Sequence, residues 1–121
     1  MKEYKIAVIP GDGIGIEVVE SAIEVITKQS KNKNYTFSLE YFDWSSEYYF
    51  KHNEMMPKDG IKQLKNFDAI FLGAVGHPDI QDHITLNGLL LPIRRAFDQF
   101  ACVRPSILYP GVESPLKNIK P

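Results

Sequence analysis

The chain is predicted to be an α/β protein, a mainly parallel sheet flanked by helices and incomplete within its 121 residues. Two short and almost uninterrupted apolar runs, at residues 4–9 and 68–73, read as strands buried on both faces, which is how parallel strands are written. Between and after them the apolar spacing turns helical, and strands alternating with helices imply βαβ units wrapped around a sheet. The chain stops at Lys120-Pro121 without a closing element. Residues 1–121 are therefore expected to be the N-terminal part of a single domain whose remainder is absent.

In order, the strand at 4–9 is stopped by Pro10-Gly11-Asp12-Gly13-Ile14-Gly15. A helix follows, from 14 or 16 to 29, with Val18, Val19, Ala22, Ile23, Val25 and Ile26 as its inward stripe. Lys31-Asn32-Lys33-Asn34 is a polar turn. Residues 35–42 alternate as a half-buried strand, with Phe37, Leu39 and Tyr41 opposite Thr36, Ser38 and Glu40. Ser45 or Ser46 caps a short helix reaching His52. Pro57 takes the first position of another helix, which carries Ile61 and Leu64 and ends at Asn66. An irregular stretch runs from Ala74 to about Thr85. Pro92, in or near a first turn, then opens a helix that reads to about Phe100 through Ile93, Ala96, Phe97 and Phe100. Residues 102–108 read as a last strand, and Pro110-Gly111 turns the chain into a polar tail.

Composition excludes several classes. A net charge of −1 offers no positive field for nucleic acid or a membrane surface. No apolar run approaches the ~20 residues of a membrane span, and no signal peptide is legible, so a cytoplasmic setting is expected. Cys102 is the single cysteine, which excludes an internal disulfide and reads as a small buried hydrophobe. His52, His77 and His83 show no metal-ligand spacing.

Three features carry chemistry. Arg94 leaves a helix and Arg104, biased to extended backbone by Pro105, leaves the strand after it. The turn between them can aim both guanidinium forks at one cleft, a receptor for a small dicarboxylate. Arg94 and Asp98, four apart, alternatively form a surface ion pair. The Gly11-Asp12-Gly13-Ile14-Gly15 turn opens a helix where free N–H groups favour an anion. It is not a G-x-G-x-x-G fingerprint, since position 16 is isoleucine, and a tight structural turn is the competing reading. The loop Gly73-Ala74-Val75-Gly76-His77-Pro78 lies at the carboxyl end of a strand, where open α/β sheets place ligands; a plain loop is its alternative.

Val8-Ile9-Pro10-Gly11-Asp12-Gly13-Ile14-Gly15-Ile16-Glu17-Val18 resembles the opening of the isocitrate/isopropylmalate dehydrogenase family. Phe71-Leu72-Gly73-Ala74-Val75-Gly76 and Ile93-Arg94-Arg95 through Val103-Arg104-Pro105 resemble its next two landmarks. Phe42-Asp43-Trp44-Ser45-Ser46-Glu47-Tyr48-Tyr49, Met55-Met56-Pro57-Lys58-Asp59-Gly60 and Pro110-Gly111-Val112-Glu113-Ser114-Pro115-Leu116 look like the tartrate and D-malate dehydrogenase (decarboxylating) branch. That branch has tryptophan where this chain has Asn87.

The resemblance implies an NAD-linked, Mg²⁺- or Mn²⁺-dependent oxidative decarboxylation of a 2-hydroxy dicarboxylate. Arg94 and Arg104 match the substrate-carboxylate arginines. Leu89 and Leu90 fall where the family sets specificity, and an apolar residue there disfavours a substrate with a third carboxylate. Ile14, Gly73, Ala74, Val75, Gly76 and Leu86 match the cofactor-binding positions. The resemblance places the metal ligands and the catalytic residues beyond Pro121, so this chain alone is expected to be inactive, and the complete protein to be a homodimer. 3-Isopropylmalate is the alternative substrate, and a non-catalytic dicarboxylate-binding or partner subunit is the reading from another class.

Overall fold

The computed structural model describes residues 2–31 and 33–116; Asn32 of the predicted polar turn and residues 117–121 of the predicted tail lie outside them. β1 (Lys2–Gly11) is the centre of a parallel sheet of order β2-β1-β3, between β2 (Tyr35–Tyr41) and β3 (Ala69–Ala74). Ile6 stands opposite Leu39 on one side and Ala69 on the other, and Val8 opposite Tyr41 and Phe71.

The continuous apolar run of β1 explains its central place, because alternate side chains feed two cores. Ile6 and Val8 meet Val19 and Ile23 of α1 (Gly15–Ser30) on one face. Ala7 and Ile9 meet Phe42, Trp44, Met55, Leu64, Leu89 and Ile93 on the other. Of the predicted stripe of α1, Val19 and Ile23 are buried, with Ala22 and Ile26 half-buried beside them; Val18 and Val25, expected inward, face solvent. Consecutive helical residues differ by 100°, so one helix on a three-stranded sheet buries a row rather than the whole apolar sector.

The second core is roofed by short helices. α2 (Ser46–His52) has the predicted extent, but its N-cap residue Ser45 makes no side-chain cap bond. Pro57 opens a turn instead of a helix: its carbonyl accepts the Gly60 N–H, and α3 (Gly60–Leu64) begins three residues later than expected. The stretch expected to be irregular to Thr85 is already helical from Asp82. α4 (Asp82–Thr85), a π-helical turn (Leu86–Leu90) and α5 (Leu91–Ala96) follow one another without a break. In a regular α-helix the Pro92 ring would press on the carbonyl four residues back; the wider π turn immediately before it relieves that contact.

α5 ends four residues earlier than predicted. The Gln99 N–H donates to the Arg94 carbonyl at 2.9 Å and the Asp98 N–H to the Arg95 carbonyl at 3.3 Å, with Asp98 at φ 52°. This is a Schellman close with aspartate in the left-handed position. Beyond it the predicted strand at 102–108 is absent among the described residues: the segment is irregular, and no neighbouring strand offers its backbone groups. Cys102 accordingly is exposed, not buried.

Candidate functional site

β1 leads through α1 to β2 on one side, while β3 lies on the other side, so strand order reverses between β1 and β3. Open parallel sheets bind ligands outside the carboxyl ends of strands at such a reversal. Three segments meet there: the turn at 11–15, the Ser45-Ser46 entry to α2 and the loop that follows Ala74.

One carboxylate joins them. Asp12, 8% exposed, accepts hydrogen bonds from Ser45 Oγ at 2.7 Å, Ser46 Oγ at 2.7 Å, the Ser46 N–H at 2.9 Å and the Gly76 N–H at 2.8 Å. Its own N–H donates to the Ala74 carbonyl at 2.7 Å. Burial pushes the Asp12 carboxyl up, but the bonds from Gly76, Ser45 and Ser46 outweigh it and hold the group below the usual carboxylate range. On one side of Asp12 a cleft of about 390 Å³ is walled by Ile16, Tyr41, Phe42 and Trp44. On the other, a cleft of about 420 Å³ is framed by Gly13, Ser46, Phe50, Lys51 and His77. The His77 ring stands edge-on to Phe50 with centroids 5.1 Å apart, and its Nδ1 accepts the Asp79 N–H at 3.2 Å.

The residues matched to cofactor positions divide by environment. Ile14, Ala74 and Gly76 are exposed on these loops and Leu86 is exposed at the start of the π-helical turn, while Val75 packs partly into the core. Gly73 has a packing reason of its own: a Cβ there would sit 2.1 Å from the Pro10 carbonyl oxygen and 2.8 Å from Val19. Of the two leucines at the expected specificity position, Leu90 is half-buried and Leu89 is wholly inside the core.

The arginines form a separate feature. Arg94 projects from the last turn of α5 and Arg104 from the exposed segment beyond it. Hydrogen bonding and charge from Arg104, joined by the charge of Arg94, favour the thiolate of exposed Cys102 and hold the thiol below the usual cysteine range. A cleft of about 510 Å³ opens there, lined by Arg94, Asp98, Gln99 and the residues up to Val103. The alternative Arg94 to Asp98 ion pair does not form; the pairs present join Lys28 to Glu24, Lys51 to Glu47, Lys58 to Glu54 and His77 to Asp79. Asp12, Ser45 and Ser46 were not singled out by sequence reasoning as a unit. Their partners lie 33 to 64 residues apart, and only the polar Ser-Ser pair after an apolar strand hints at them.

The isocitrate/isopropylmalate dehydrogenase family profile matches residues 5–120. A probable tartrate dehydrogenase/decarboxylase of Agrobacterium vitis is 53% identical over 122 residues, covering all of this chain and 34% of that protein. The D-malate dehydrogenase (decarboxylating) of Escherichia coli is 49% identical, again across the whole chain and 34% of its own length. The tartrate dehydrogenase/decarboxylase of Pseudomonas putida is 46% identical over 97% of this chain and 33% of its own. The chain thus spans about a third of the length of these relatives. The crystal structure of a β-decarboxylating dehydrogenase from Thermococcus kodakarensis superposes with a TM-score of 0.57 at 24% identity, covering 78% of this chain and 27% of that one. That likeness supports the parallel, helix-flanked fold.

Proposed function

The chain belongs to the isocitrate/isopropylmalate dehydrogenase family, and from that premise we propose that it forms the N-terminal part of an NAD-dependent oxidative decarboxylase of a 2-hydroxy dicarboxylate, D-malate or tartrate. What supports this reading is the family match over residues 5–120, together with Arg94 lining the exposed cleft at the end of α5 and Arg104 following directly after that cleft's last lining residue, Val103. In the proposed site the two guanidinium groups would each grip one carboxylate of a small diacid and so fix the C–H bond that is to leave as hydride. Leu90, apolar and half-buried, would lie beside the substrate's β-carbon and leaves a third carboxylate unpaired there. The same apolar side chain is what favours 3-isopropylmalate as the second reading.

On the cofactor side, exposed Ile14, Ala74 and Gly76 offer surface at the carboxyl ends of β1 and β3, and exposed Leu86 would complete an apolar setting suited to a flat nicotinamide ring. Bound Mg²⁺ or Mn²⁺ supplies Lewis-acid polarisation of the substrate hydroxyl in such a reaction. Among the described residues no three His, Cys, Asp or Glu side chains gather where they could hold that ion. No helix among the described residues is long and apolar enough to cross a membrane. A cytoplasmic homodimer of the complete protein completes the proposal.

The test is turnover by the protein expressed from the complete gene. With Mn²⁺ it reduces NAD on D-malate or tartrate faster than on 3-isopropylmalate. Arg94→Ala and Arg104→Ala each lower kcat/KM on the order of 10²-fold, as expected when one half of a charged hydrogen-bonded pair is removed. Unchanged turnover in both variants sinks the site assignment, and preference for 3-isopropylmalate replaces the substrate.

A further inference from the structure

The Asp12 carboxylate takes no part in the reading above. Two backbone N–H groups and two serine hydroxyls converge on it within 2.9 Å, the kind of donor set with which loops hold a phosphate. Here the chain supplies the anion itself. Among the described residues no lysine, arginine or histidine pairs with it; the ion pairs there lie at other residues. The arrangement is held against local preference. Ser45 sits at φ 133°, ψ −137°, a conformation that side-chain-bearing residues rarely adopt, and its hydroxyl serves Asp12 rather than the open end of α2. Gly76 turns at φ 150°, where glycine alone is at ease, and its N–H points back to the carboxylate. Such strain persists where the surroundings over-determine it.

We propose that Asp12 is a positioning residue for the cofactor: its carboxylate fixes the separation between the turn after β1 and the loop after β3, and so sets the surface that Ile14, Ala74 and Gly76 present together. The assignment rests on the dehydrogenase reading. Asp12 acts through the Gly76 N–H and the two serines. An ionised carboxylate only accepts, so all four donors face inward; an asparagine amide at the same place presents N–H to donors and turns at least one of them away.

The experiment uses wild type and Asp12→Asn of the complete protein, with three readouts. Calorimetry of the protein without substrate gives the dissociation constant of NAD, steady-state assays give KM and kcat, and amide exchange gives the protection of Gly76. Asp12→Asn is expected to weaken NAD about tenfold and raise its KM alike, with kcat and the KM of D-malate within about threefold of wild type. Gly76 exchange accelerates while the β1 amides stay protected. If Asp12→Asn does not fold, Ser46→Ala, which removes one of the four bonds, decides the question by the same readouts at smaller amplitude. An active wild type whose NAD affinity is unmoved by the substitution overturns the assignment and leaves the dehydrogenase reading intact. Parallel loss of both KM values and of β1 protection shows a merely structural residue and overturns it too. A wild type that neither binds nor reduces NAD overturns the reading, and the assignment with it.

Discussion

At the scale of single residues, charge and burial decide what Asp12 contributes to stability. Replacing it by an amide leaves at least one of the two hydroxyls and two N–H groups short of an acceptor in a site that is 8% exposed. A buried hydrogen bond to a charged group is worth about 1.5–3 kcal/mol, and Asp12→Asn, which keeps the shape, is expected to cost about that much in denaturant unfolding. Because the folded-state pKa lies below the unfolded one, the stabilisation is present above the ordinary carboxylate range and fades as pH falls through the folded value. Below about pH 4 the wild type should therefore lose part of its advantage over Asp12→Asn, visible as converging midpoints in acid unfolding curves. A constant difference from pH 7 to 3 would show that the carboxyl is not held low. The helix that carries Arg94 was legible in the sequence because its apolar spacing and Pro92 are local signals. The Asp12 network was not, since its donors reach it only after the sheet has assembled.

At the scale of elements, legibility followed how completely local pattern agrees with tertiary demand. β1 reads correctly because an apolar run buried on both faces needs no phase, and its pairing merely extended it two residues at each end. α5 reads wrongly at its end because the apolar spacing of Ile93, Ala96, Phe97 and Phe100 continues past the point where the backbone reverses, and no glycine marks the stop. Aspartate in the left-handed position carries a Cβ penalty that glycine escapes. Asp98→Gly should accordingly raise stability by about 0.5–1 kcal/mol, read as an increase in Tm with unchanged circular dichroism. A fall in Tm would mean that the Asp98 side chain makes a compensating contact in solution. The π turn at Leu86–Leu90 was equally hidden, because no composition rule distinguishes it from an ordinary helical turn ahead of a proline.

At the scale of the whole molecule, the one predicted strand that fails is the one with no neighbour. Residues 102–108 were expected to form a strand, yet a strand exists only by sharing hydrogen bonds, and among the described residues the sheet ends at β2 and β3. The result is an extended segment with Phe100 93% and Val103 87% exposed, continued by exposed Ile107 and Tyr109. Exposed Val18 and Val25 on α1 add a second uncovered apolar face. Unpaired backbone beside apolar side chains is a template for association. Residues 1–121 expressed alone should therefore bind a hydrophobic dye and elute with an apparent mass that grows with concentration, whereas the protein from the complete gene should do neither in the same buffer. Replacing Phe100 and Val103 by serine should reduce both signals from residues 1–121 while leaving the thermal transition of the sheet nearly in place, since neither side chain packs on either core. If residues 1–121 remain monomeric and silent to the dye, the exposed segment is accommodated by solvent, and lack of a strand partner ceases to be the reason that residues 102–108 form no strand.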